Sequence, residues 1–193
     1  MSLIMGILDK DFCILCSDSR LNKFDGTKDF IQQVSNFRKD LIYAIGGDAA
    51  IMMNIINEIS MTLDMNIISF YDLYIALGEK FQKYAADPTT PNISICIGGY
   101  MNEKFMMADF LILNSEFSTN FYDGTNIPQR RLYGNTELHI GSIKKYFSKK
   151  EMTVEEILEG FQNVLNDGAL IDNAIDTNCQ YVYIANAKND ISN

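Results

Sequence analysis

Ile4-Met5-Gly6-Ile7-Leu8-Asp9-Lys10-Asp11-Phe12-Cys13-Ile14-Leu15-Cys16-Ser17-Asp18-Ser19-Arg20 is the stretch that decides the architecture of this chain. Two apolar runs flank the polar triplet Asp9-Lys10-Asp11, and they read as strands from Met1 to Leu8 and from Phe12 to Arg20. A hairpin folded about Lys10 pairs residues whose numbers sum to about 20, which sets Ser2 opposite Asp18 with room for a slip of a residue or two.

Working outward, Phe30 to Phe37 and Leu41 to Ile45 repeat the strand pattern around Arg38-Lys39-Asp40. Gly46-Gly47-Asp48 ends that strand, and Asp48 is placed to cap a helix carrying Ile51, Met52, Ile55, Ile56, Ile59 and Leu63 at helical spacing. Ser69 caps a second helix with Phe70, Leu73, Tyr74, Leu77 and Phe81, which Asp87-Pro88 closes because proline disfavours helical geometry in the residue before it. Strands follow over Ile93 to Tyr100, Phe105 to Leu113, Phe117 to Tyr122 and Arg131 to Tyr133. Thr136 to Phe147 reads as a helix, Thr153-Val154-Glu155-Glu156 is a capping box for another, and Gln180 to Ala187 closes as a strand. Strands, two helices, strands, two helices and a strand predict an α+β fold of one domain over residues 1–193, with two mainly antiparallel sheets between helical layers, a four-layer α/β/β/α sandwich.

The chain has 193 residues, 47% of them hydrophobic, enough for a single sizeable core. Its formal net charge of -9 opposes attraction to phosphate backbones or anionic lipid, so neither nucleic acid nor a membrane is expected as a partner. The apolar runs are strand-sized and the start has no basic leader, so a cytoplasmic location is expected. Cys13, Cys16, Cys96 and Cys179 all fall in apolar strand-like runs, as reduced thiols packed in a core would. Cys13 and Cys16 have the spacing of a metal or redox pair, but residues three apart on a strand face opposite ways. His139 is the sole histidine and is expected at the surface or a helix end, so no His-based triad, metal or other cofactor is anticipated.

Several short motifs, taken with the order of elements, resemble the proteasome β-subunit type of N-terminal-nucleophile (Ntn) hydrolase. Ile4-Met5-Gly6-Ile7 and Ile14-Leu15-Cys16-Ser17-Asp18-Ser19-Arg20 are similar to the family's first hairpin. Ile42-Tyr43-Ala44-Ile45-Gly46-Gly47-Asp48 resembles the strand leading into its first helix. Ile97-Gly98-Gly99-Tyr100, Tyr133-Gly134-Asn135 and Met152-Thr153-Val154-Glu155-Glu156 are similar to later landmarks in the expected order.

The resemblance implies hydrolysis of peptide bonds by the hydroxyl of the chain's first residue, with its freed amino group assisting proton transfer. Counting back from Gly6 puts Ser2 in that slot once Met1 is removed, and Asp18 matches the family's supporting aspartate. A Met-Ser-Leu start is also what an appended expression leader leaves, in which case the match at Ser2 is accidental. The family's activating lysine has no direct counterpart: Phe30 takes its slot, and Lys28 lies two residues, about 6 to 7 Å, earlier on the same strand face. Ala44 falls where the family has the glycine whose amide helps bind the oxyanion. Asn135 and Thr136 stand in place of a Gly-Ser-Gly serine, and the late Asp-and-Ser pair has loose counterparts in Asp172, Asp176 and Thr177.

Three readings follow from this site. The first is a serine-type peptidase or amide hydrolase using Ser2, Asp18 and Lys28 or the α-amino group. The second is a catalytically silent ring subunit, which Phe30, Ala44 and Asn135 favour. The third is a small-molecule amidase of the same fold. Self-association, as a homo-oligomer or ring, is expected under the first two, because Met52, Met53, Ile56, Phe70 and Tyr74 give the first helix pair more apolar surface than one sheet face needs.

Overall fold

The computed structural model describes residues 3–22, 28–125, 128–133 and 136–185. Its strands are β1 (Ile4–Leu8), β2 (Phe12–Ser17), β3 (Arg20–Asn22), β4 (Lys28–Phe30), β5 (Val34–Arg38) and β6 (Leu41–Gly47). Helices α1 (Ala49–Thr62) and α2 (Phe70–Ala85) lead to β7 (Ile93–Met101), β8 (Lys104–Leu113), β9 (Glu116–Tyr122) and β10 (Gln129–Tyr133). Helices α3 (Thr136–Tyr146) and α4 (Val154–Ala169) precede β11 (Gln180–Ala185). The fold is α+β, with one antiparallel sheet ordered β10-β1-β2-β11, a second ordered β5-β6-β7-β8-β9, and a two-stranded ribbon of β3 and β4.

Each of three helix starts carries the chemistry expected of its sequence. The Asp48 side chain accepts from the amide of Ile51, Ser69 accepts from that of Asp72, and Thr153 with Glu156 makes a reciprocal capping box. Such caps satisfy amides that have no partner inside the helix, and each is worth about 1 kcal/mol. The first hairpin turns at Asp9, whose amide donates to the carbonyl of Phe12.

Burial divides into three apolar clusters. One joins α1 and α2 to the five-stranded sheet through Met52, Ile55, Leu73, Leu77, Phe81, Ile95 and Phe110. Another joins α4 to the outer face of β1 and β2 through Met5, Ile14, Cys16, Ile157, Phe161 and Val164. The third holds residues of both sheets, among them Ile4, Leu15, Ile42, Ala44, Cys96 and Met107. The strands β1 and β2 are therefore buried on both faces, which is why they read as unbroken apolar runs rather than as alternating ones. Strand alternation also settles the Cys13-to-Cys16 spacing: Cys13 packs between the sheets and Cys16 on the helix side, so the two do not form a site together.

Five expectations need correction. The predicted strand to Arg20 leaves the sheet after Ser17 and resumes as the ribbon strand β3, and the predicted strand Phe30–Phe37 is divided between β4 and β5. His139 lies in the first turn of α3 and is fully buried, not at the surface. Cys179 precedes β11 and is half-buried, outside any strand. Met52, Ile56 and Phe70 are spent in the core and Tyr74 is half-buried; Met53 is exposed as expected, joined by Met61, Tyr71 and Ile75 on the first helix pair and Ile67 between the two helices.

Candidate functional site

The residues that carry chemistry meet where β2 leaves its sheet. Ile4 pairs with Ser17, so the hairpin register places Asp18 opposite Leu3, one position from the expected partner Ser2, which lies outside the described residues. The Leu3 amide donates to Asp18 Oδ1 at 2.9 Å, and the Arg20 amide donates to Oδ2 at 3.2 Å. Asp18 is fully buried, and that burial pushes its carboxyl up to about 6. The two amides pull in the opposite direction, and the nearby charge of Asp176 adds to the rise.

Asp176 arrives from the segment between α4 and β11. Its Oδ2 accepts from Ser19 Oγ at 2.9 Å, and its Oδ1 accepts from the amides of Ser19 at 3.3 Å and Asn178 at 2.9 Å. The Asn178 side chain donates in turn to Ser19 Oγ at 3.0 Å. Of the late candidates, Asp176 is thus the one brought beside Asp18. Asp172 instead faces His139 at 3.8 Å, and the Thr177 carbonyl accepts from Gln162.

A third group of side chains ties the crossing between the sheets. Ser17 Oγ donates to Gln33 Oε1 at 2.9 Å, Gln33 Nε2 donates to the Arg20 carbonyl, and Gln180 accepts from the Gln33 amide while donating to the Ile31 carbonyl. Gln33, Ser19, Asn178 and Gln180 were not singled out from the sequence. Their one signal is position, since each flanks a break between elements.

The ribbon places the lysine region by backbone register. Arg20 pairs with Phe30 and Asn22 with Lys28, and the Ile31 amide donates to the Ser19 carbonyl. Continuing that count sets residue 32 against Asp18, so Lys28 stands four strand positions, about 13 Å, farther out. Thr136 opens α3, and Asn135 lies outside the described residues.

Ala44 is fully buried in the middle of β6, between Val34 and Cys96. Because the Ile45 amide donates to Gln33 on the β5 side, the alternation of an antiparallel ladder turns the Ala44 amide toward β7. Among the described residues, no group of three or more His, Cys, Asp or Glu is arranged to hold a metal ion, and no helix is long and apolar enough to cross a membrane.

No family model and no curated protein matches the sequence. Solved structures do match. Anbu (ancestral beta-subunit) from Yersinia bercovieri superposes with a TM-score of 0.74 at 15% identity, over 95% of this chain and 82% of that one. The helical assembly of the Anbu complex from Pseudomonas aeruginosa gives 0.73 at 14% identity, over 95% and 81%. Anbu from Hyphomicrobium sp. strain MC1 gives 0.71 at 12%, over 95% and 82%. These likenesses establish the fold and nothing finer. They also correct the family drawn from the motifs: the solved structures that match are Anbu (ancestral beta-subunit) proteins, and what this chain shares with them is the fold.

Proposed function

We propose that this chain is a self-assembling subunit of Anbu-type fold in which the hydroxyl of Ser2, made N-terminal by loss of Met1, hydrolyses peptide or amide bonds slowly. The observation that carries this reading is the 2.9 Å bond from the Leu3 amide to Asp18, which anchors the start of the chain on a buried carboxylate. The proposed nucleophile adjoins that anchor in sequence, and positioning by a network such as Asp18, Ser19 and Asp176 is the first requirement of nucleophilic catalysis. Asp18 would orient the terminus and Asp176 would hold Asp18's flank through Ser19.

The slow rate rests on the lysine slot, where register sets Lys28 away from Asp18 among the described residues. A terminal hydroxyl is a poor nucleophile at neutral pH without a nearby base or positive charge, and one positioned acid–base group contributes roughly 100- to 10,000-fold. Lys28 begins four positions too far along the ribbon, and Gln33, a neutral amide, fills the crossing beside Ser17. The same observation favours the second reading, a silent structural subunit.

We read the three apolar clusters as the interfaces of a four-layer α/β/β/α sandwich forming one domain. Assembly is supported by the exposed apolar surface of α1 and α2 and by the helical assembly of the Anbu complex from Pseudomonas aeruginosa. The test is intact mass, to establish removal of Met1, followed by turnover of short fluorogenic peptides by the parent and Ser2→Ala. Turnover that disappears in Ser2→Ala supports the hydrolase. Robust activity unchanged by Ser2→Ala refutes the nucleophile, and a Ser2 terminus with no turnover establishes the silent subunit.

A further inference from the structure

Two thiols lie in contact beside the Asp18 network, and the hydrolytic reading uses neither. Cys16 Sγ and Cys179 Sγ are 3.2 Å apart, across 163 residues of chain. Cys16 sits at the end of β2 opposite Tyr181, so Cys179, two residues before Tyr181, approaches it diagonally just beyond the end of the β11 ladder. Disulfide formation needs the sulfurs to close by about 1.1 Å, and Cys179 belongs to an irregular segment, free of ladder bonds that would resist the movement.

The two thiols are unequal. Cys179 is half-buried, whereas Cys16 is fully buried, under α4. The hydrogen bond with Cys16 lowers the Cys179 pKa below the ordinary thiol value, and burial first of all holds Cys16 well above it. The 3.2 Å contact thus favours the thiolate at Cys179 over the thiolate at Cys16. An accessible nucleophile backed by a buried partner is the arrangement that captures an external disulfide and then resolves it. Cys13 and Cys96 are fully buried between the sheets, away from any external disulfide, so they serve as internal references.

We propose that Cys179 and Cys16 form a thiol–disulfide modification site whose oxidant is a small-molecule disulfide of the glutathione class. The Cys179 thiolate attacks one sulfur of the oxidant, forming a mixed disulfide and releasing one small thiolate. Cys16 sulfur then attacks Cys179 sulfur, the bond to the second small thiolate breaks, and that thiolate takes the Cys16 proton. Two protein thiols and one disulfide become one protein disulfide and two small thiols. The cross-link joins β2 to the segment carrying Asp176 and Asn178, and so clamps the polar network around Ser19.

The experiment equilibrates the full native chain with oxidised and reduced glutathione and reads intact mass, remaining free thiols and disulfide-linked peptides. The parent should lose about 2 Da and two of its four thiols, with Cys16 and Cys179 peptides linked. Cys16→Ser should stop at a stable glutathione adduct on Cys179, and Cys179→Ser should gain no adduct and lose no thiol. The proposal is overturned if the parent keeps all its thiols under oxidising ratios that load Cys16→Ser, if it retains the adduct as that variant does, or if the link joins other cysteines. Because Cys16 is buried, Cys179→Ser is the variant that decides should Cys16→Ser fail to fold: oxidation persisting in it overturns the assignment.

Discussion

Replacing Asp18 by asparagine separates what this carboxyl does for the fold from what it does for the site. In the unfolded chain Asp18 loses its proton near 3.8, and in the fold it keeps it to about 6. Between those values the folded state binds more protons than the unfolded one, so stability falls as pH rises through the window and stays lower above it. A difference of that size corresponds to about 3 kcal/mol at pH 8, which is an upper figure. An asparagine side chain has the shape of the protonated acid and keeps an acceptor oxygen for the Leu3 amide, while its NH2 faces the Arg20 amide, a loss that is the same at every pH. Relative to the parent, Asp18→Asn should therefore gain about 1 to 3 kcal/mol of stability between pH 4 and pH 8.

Urea denaturation followed by circular dichroism at half-unit steps from pH 4 to 8 measures this difference directly. Other titrating groups act in both proteins and cancel in the comparison. Refutation would be a variant less stable than the parent by the same amount at every pH, since that would make Asp18 an ordinary structural acceptor. If Ser2 hydrolyses amides as proposed, the stabilised variant should also lose that activity, which is the trade expected where a buried charge is kept for function.

Gly47 has φ of +89° and its missing Cβ would lie 2.1 Å from the Asn92 carbonyl oxygen, so Gly47→Ala should cost about 2 to 4 kcal/mol in urea unfolding. His139 has both ring nitrogens without a hydrogen-bond partner, and burial lowers its pKa against the opposing pull of Asp172. The unfolded state then binds more protons below pH 6.5, so the parent should lose stability as pH falls through that region, and His139→Leu should lose less. Ile75 is 55% exposed on α2 beside exposed Ile67 and Tyr71, so Ile75→Glu should reduce the particle mass seen by light scattering while leaving the circular dichroism spectrum unchanged. An unchanged mass would exclude that face from assembly.

The helices were legible because their information is local. Asp48, Ser69 and Thr153 cap by reaching amides three positions away, and the 3.6-residue spacing of Leu73, Leu77 and Phe81 needs no knowledge of the partner sheet. The burial of His139 was not local. A lone polar side chain in a short amphipathic helix gives no sign of which face it occupies until α4 is packed against it with Gly168 at the contact. The end of β2 and the start of β5 were also hidden, because neither Asp18-Ser19-Arg20 nor Phe30-Ile31-Gln32-Gln33 carries a glycine or proline to mark where a strand breaks.

That change of sheet explains the site as well as the misreading. A carboxylate at the end of a strand would normally project into water, but here the chain turns across the mouth of both sheets, and the loop carrying Asp176 covers it. Burial raises the Asp18 pKa, and the same turn decides which residue of the return strand stands beside it. The count along the sequence aligns Phe30 with the lysine slot and allows Lys28 to substitute by a slip. The ribbon pairs Phe30 with Arg20 and Lys28 with Asn22, so a slip of one or two residues cannot bring Lys28 to Asp18, because four are needed. A cation restored at this site would have to come from near residue 32, on the chain's path between the ribbon and β5, where Ile31 and Gln33 are already bonded to Ser19 and Gln180. Gln32→Lys, exposed in the parent, is the substitution that follows from the register. It should raise a Ser2-dependent rate of peptide cleavage by about 10-fold or more, within the roughly 100- to 10,000-fold span of a positioned acid–base group or just short of it, whereas Phe30→Lys should not. The reverse order of the two variants would show that the ribbon register, and with it this account of the missing cation, is wrong.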